Sequence, residues 1–126
     1  MKSKYLLFLE TLTLLILIAY WVYLKSVYGL VPEIIPIHFD SAGNADGHGN
    51  KIFLFELPRL ATIFYIILAF AVLLIYLSEK RESLASTVSK GSIGFSKTIY
   101  TISIIKFILV LVFMIISLMI MRQIKY

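Results

Sequence analysis

The sequence predicts an all-α membrane protein, with three transmembrane helices and a structured extracellular loop between helices 1 and 2. Three observations predict it. The chain of 126 residues is 60% hydrophobic and only 15% charged, whereas soluble domains carry about 25% charged residues. Its apolar residues gather into three long runs, 5–24, 60–77 and 99–121, broken by charge only at Glu10 and Lys106. Between the first two runs lies the one polar, proline- and glycine-patterned passage, from Val31 to Lys51.

Each run is long enough to span. At about 1.5 Å per residue they reach roughly 27–35 Å, against a hydrocarbon core of about 30 Å. Helices are expected at about 5–27, 58–78 and 98–121, within a single integral membrane domain covering 1–126. Lys2 and Lys4 precede the first run, as in a signal peptide. The run is too long for a signal core, and Tyr20-Trp21-Val22-Tyr23 offers no small-x-small cleavage site, so a retained helix is expected. Tyr5, Tyr20, Trp21 and Tyr23 suit interfacial belts at the ends of that helix.

Basic residues set the expected orientation. Lys2, Lys4, Lys80, Arg81, Lys90 and Lys97 would share one side, against Lys25, Lys51, Arg59, Arg122 and Lys125 on the other. This places the N-terminus and the basic connector 79–97 in the cytoplasm, and the loop 30–57 and the C-terminus outside. The formal charge of +5 is then a matter of helix ends and lipid headgroups, not of nucleic acid. The connector, rich in Ser and without a large apolar face, reads as a mobile solvated loop. There is no cysteine, which excludes disulfides, thiol catalysis and cysteine-ligated zinc.

Glu10 and Lys106 would lie at similar depth, roughly 8 and 11 Å into two helices that run in parallel. Pairing is expected, because an unpaired charge there costs about 2–3 kcal/mol. Such a pair reads either as a proton or ion relay or as a structural helix-helix contact. The structural reading is favoured, since a relay ordinarily uses more intramembrane ionisable groups.

Pro32 and Pro36 break any helix through the loop and push Val31 and Ile35 toward extended geometry. From Ile35 to Asp40, Ile35, Ile37 and Phe39 alternate with Pro36, His38 and Asp40, which predicts a short extended segment. Gly43-Asn44, Asp46-Gly47 and Gly49-Asn50 predict tight turns, and Pro58 suits the first turn of the second helix. His38-x-Asp40 and Asp46-x-His48 offer His38, Asp40, Asp46 and His48 as candidate metal ligands. Their types suit zinc, but no known spacing signature is present. Gly47-x-Gly49-x-Lys51 lacks the spacing of a phosphate loop. No catalytic motif appears, so neither an enzyme nor a cofactor is expected.

Pro32-Glu33-Ile34-Ile35-Pro36-Ile37-His38-Phe39, followed by Gly43, Asp46-Gly47, Gly49 and Lys51, resembles the signature of the N-terminal membrane domain of SdpI-type bacterial toxin-immunity proteins. Val31, Asp40 and His48 stand where that pattern usually has Leu, Asn and Trp. The resemblance implies a small multi-pass protein of the bacterial cytoplasmic membrane, active in bacteriocin resistance or signalling. It further implies an extracellular peptide as ligand and a cytoplasmic repressor as partner, held at the connector. The loop residues expected to bind are Pro32, Pro36, His38, Phe39, Gly43, Asp46, Gly47, Gly49 and Lys51. Three helices bury little area alone, so a homo-oligomer or a larger membrane complex is also expected. An accessory subunit of a transporter is the alternative, and a metal-dependent membrane enzyme is a third reading.

Overall fold

In the computed structural model, which describes residues 2–85 and 97–124, the chain is mostly helical. The element order is α1 (Lys2–Val27), β1 (Ile34–Phe39), β2 (Ala45–Asn50), α2 (Glu56–Ala85) and α3 (Lys97–Gln123). Short 3₁₀ turns at Tyr28–Leu30 and Lys51–Phe55 join the sheet to its flanking helices. All three helices are long and apolar enough to cross a bilayer, with mean hydropathies of 2.0, 2.7 and 3.0 over their best windows. That is the pattern of a multi-pass membrane protein.

α1 runs unbroken because no Gly or Pro interrupts it before Gly29 and Pro32. α2 tolerates Pro58 in its first turn, where the missing N–H has no helical partner to lose. It also continues past its apolar run to Ala85, through a stretch expected to be a mobile connector. Glu79, Lys80, Arg81 and Glu82 are strong helix formers, and no glycine follows before Gly91. Residues 86–96 of that connector, Lys90 included, lie outside the described residues, and its last residue, Lys97, opens α3.

α1 and α3 lie in parallel, with Glu10 opposite Lys106 and Tyr20 opposite Ser117. α2 runs antiparallel to both, beginning at the hairpin end. The facing positions step by three and four residues, with one step of seven: Leu6, Glu10, Thr13, Leu17, Tyr20 and Leu24 on α1, and Ile99, Ser103, Lys106, Val110 and Ser117 on α3. This is the seam spacing of a left-handed helix pair. In lipid such a seam is held by packing and interhelical polar contacts, since lipid tails are as apolar as leucine. Accordingly Thr13, Ser103, Lys106 and Ser117 are buried while Ile66, Phe70 and Leu74 on α2 face outward.

Tyr20 is therefore no belt residue. It is buried at the seam, where its hydroxyl donates to the Phe113 carbonyl at 3.1 Å and meets the Ser117 hydroxyl. Trp21 is likewise turned into the bundle, where its indole N–H donates to the Thr62 hydroxyl at 2.9 Å and its ring stacks on Phe55.

Candidate functional site: the hairpin and the groove beside it

The loop between α1 and α2 is a β-hairpin. β1 pairs antiparallel with β2, from Ile34↔Asn50 to Phe39↔Ala45. Asp46-Gly47 and Gly49-Asn50, expected as turns, lie within β2, and among the described residues positive φ is confined to Gly43, at 85°. Gly47 and Gly49 serve close approach instead. A Cβ on Gly47 would stand 2.8 Å from the His38 Cβ, and one on Gly49 would stand 2.6 Å from the Ile37 Cδ1. Glycine in a strand marks such places where another chain segment comes near.

The turn at the tip is built by Asp40. Its Oδ1 accepts the backbone N–H groups of Ala42 at 2.9 Å and Asn44 at 2.8 Å. The Gly43 N–H closes onto the Asp40 carbonyl at 3.0 Å. The Asn44 backbone N–H, then its side-chain amide, hold the Asp40 carboxyl below the ordinary carboxylate value. At the base, Asn50 caps the 3₁₀ turn by accepting from the Ile52 N–H. Lys51 pairs with Glu33 at 2.8 Å and lies over the Tyr28 ring, 4.9 Å from its centre, so its charge is engaged within the chain.

Two opposed irregularities set the hairpin's one exposed acid-imidazole pair. From Pro36↔His48 to His38↔Gly47 the first strand advances two residues and the second one; in the next step the second advances two. Ile37 and Asp46 are thus left without partners across the sheet. Such bulges re-aim side chains. Here His38 Nδ1 lies 2.5 Å from Asp46 Oδ1, both side chains open to solvent. Pairing at Nδ1 fixes the ring and leaves Nε2 for a ligand.

The four candidate metal ligands are not brought together. Asp40 is spent on its own turn, and His48 stands across from Pro36 in the register. Among the described residues no group of three or more His, Asp and Glu converges. The expected four-ligand set is corrected to a single pair, His38 with Asp46.

A groove of about 680 Å³ runs beside the hairpin. Its first wall is β1 itself, with every residue from Ile35 to Phe39 contributing. Leu54 and Leu57 form its floor towards α2, and Ile116, Ile120 and Gln123 on α3 form the opposite wall. Gln123 closes the end by donating to the Gly43 carbonyl at 3.2 Å. The contribution of α3 has no local sequence signal, because it is made by residues far along the chain from the patterned loop.

Of the loop residues expected to bind, Pro36, His38, Phe39 and Gly43 line this groove. Asp46, Gly47 and Gly49 stand behind them on β2, and Pro32 and Lys51 stand at the hairpin's base. Glu10 and Lys106 are elsewhere, paired in the seam below, with the Lys106 ammonium 4.7 Å from the centre of the Tyr65 ring.

No curated protein and no solved structure matches the chain. One family model does, over residues 14–62, and its description is a domain of unknown function, DUF1648. The match begins within α1, takes in the whole hairpin and ends in the first turns of α2, so the chain is similar to that family across the unit that carries the groove's first wall.

Proposed function

We propose that this is a small bacterial cytoplasmic-membrane protein whose hairpin, on the outer face, binds a cationic apolar peptide in toxin resistance or signalling. One observation carries the reading: the groove is walled by the same residues, Pro36 to Phe39, that make the sequence resemble SdpI-type immunity proteins. The family match over 14–62 covers the same unit.

The chemistry of the occupant follows from the lining and the rim. Ile35, Ile37, Leu54 and Ile120 offer apolar contact and no strong polar demand, as binding clefts generally do. Glu33 is answered by Lys51 and Glu56 by Arg59, whereas Asp40 and Asp46, both towards the tip, form no ion pair with a Lys or Arg among the described residues. A peptide with apolar side chains in the groove and a Lys or Arg at the tip satisfies both features. Pro36 presents no N–H, which weighs against strand addition along β1 and favours recognition through side chains.

The test is a binding titration. The purified chain in nanodiscs of uncharged lipid is titrated with a labelled leucine- and lysine-rich peptide. Saturable binding is expected, lost in Ile37→Asp and weakened in Asp46→Asn, with insertion unchanged. Binding equal to that of empty nanodiscs, or indifferent to Ile37→Asp, would remove the groove from the reading.

A further inference from the structure

In and beside the α1–α3 seam stand polar atoms that nothing among the described residues satisfies. Glu10 Oε1, Ser103 Oγ and the Tyr100 hydroxyl are each buried without a hydrogen-bond partner. Ser103 is wholly enclosed and Lys106 nearly so. Tyr100, Ser103 and Lys106 stand three residues apart on α3, and residues so spaced lie over one another on a helix face. Glu10 joins that row through its ion pair with Lys106. The row starts in the first turns of α3, at the connector end of the bundle. Towards the hairpin end it is closed: Thr13 spends its hydroxyl on the Leu9 carbonyl at 2.7 Å, and beyond it Leu17 and Val110 are buried in the seam.

The donor and acceptor inventory identifies the ligand. Glu10 Oε1 only accepts, and the two hydroxyls both donate and accept. Lys106 already supplies one positive charge, over the Tyr65 ring, so a second cation is disfavoured. Water donates to Oε1 and bridges hydroxyls, and buried water typically answers such orphaned groups. We infer that Tyr100, Ser103 and Glu10 hold a file of bound water that enters the α1–α3 seam from the connector end and stops at Glu10. This gives the carboxylate a connection to one aqueous side only. The inference is independent of the groove.

The absence of native cysteine makes the test clean. Ser103→Cys and Val110→Cys, each the sole cysteine, are placed in sealed vesicles and exposed to a membrane-impermeant methanethiosulfonate from either side. Labelling needs a thiolate, which apolar burial suppresses, so Ser103→Cys should react about tenfold faster or more than Val110→Cys, and only from the connector side. Equal, slow labelling of both overturns the inference, leaving the Ser103 hydroxyl bonded to its own helix in a dry seam. Labelling of Ser103→Cys from the hairpin side overturns the one-sided connection. A readout without cysteine guards against misfolding. The carboxylate stretch of Glu10, assigned by difference from Glu10→Gln, should shift promptly in D₂O as its hydrogen-bond donors exchange; a stretch that stays unshifted while exposed amides exchange overturns the hydrated file.

Discussion

The seam and the hairpin each hold an acid beside a base, but by opposite physics. In the seam, Lys106 is almost entirely enclosed and its partner Glu10 keeps only a quarter of its side-chain surface exposed. In the hairpin, His38 and Asp46 expose 74% and 46% of their side-chain surface. A buried pair is costly to create and far more costly to halve, because the remaining charge loses its counter-charge where there is too little solvent to replace it. An exposed pair contributes little to stability, because water replaces either partner. The difference teaches where conformation is held and where a ligand can enter. The seam fixes the register of α1 against α3, and the hairpin offers groups that a partner can take over.

The comparison breaks first at Lys106. Lys106→Met leaves the enclosed Glu10 carboxylate without its counter-charge and should destabilise the bundle by about 2–4 kcal/mol. Adding Glu10→Gln to it should restore more than half of that loss, as judged by denaturant unfolding of the protein in mixed micelles. Asp46→Asn on the hairpin should change the same measurement by well under 1 kcal/mol. Comparable losses at the two sites would show that enclosure is not what separates them.

The parts legible in the sequence and the parts hidden from it divide along the same line. Hydropathy and length located the three helices, and rise per residue sufficed to place Glu10 level with Lys106. The hairpin was half legible. Pro32 and Pro36 announced extended backbone, but Gly47 and Gly49 looked like turn residues because glycine permits both positive φ and close approach. Nothing in sequence order separates the two uses; only the His38 and Ile37 side chains across the sheet do. The groove was illegible for a related reason, since its far wall comes from Ile116, Ile120 and Gln123, whose apolar and amide side chains read locally as ordinary helix. Tyr20 and Trp21 resembled belt residues because an aromatic ring with a polar tip suits an interface and a helix seam equally.

Gly47 and Gly49 sharpen the contrast within the hairpin. A methyl group at position 47 meets the Cβ of His38, which cannot swing away without moving the backbone. Gly47→Ala should therefore part the strands, at a cost of about 1–3 kcal/mol to local stability. At position 49 the obstacle is the terminal carbon of Ile37, with the Phe53 ring at 3.3 Å. The Ile37 side chain can change rotamer, so Gly49→Ala should cost less, roughly 0.5–1.5 kcal/mol. Amide hydrogen exchange across residues 34–50 measures both. An equal effect at the two positions would mean that close approach does not explain the glycines. In neither variant should exchange in the α1–α3 seam change.

The smallest effect is the pH response of the hairpin tip. Asp40 accepts from the amides of Asn44 and Ala42, which lowers its folded-state value below the ordinary 3.8. For a carboxylate with a lowered value, the stabilisation is present above the unfolded value and is lost as pH falls through the folded one. The tip should accordingly be unchanged from pH 7 to about 4 and loosen only below that. Exchange protection of the Ala42 and Asn44 amides is the direct measure, because those two donors lose their acceptor when Asp40 is protonated. Asp40→Asn should remove the pH dependence while keeping one acceptor oxygen, so its tip should remain partly protected throughout. Loosening that begins near neutral pH would implicate a group other than Asp40 and would take the tip's control away from its turn.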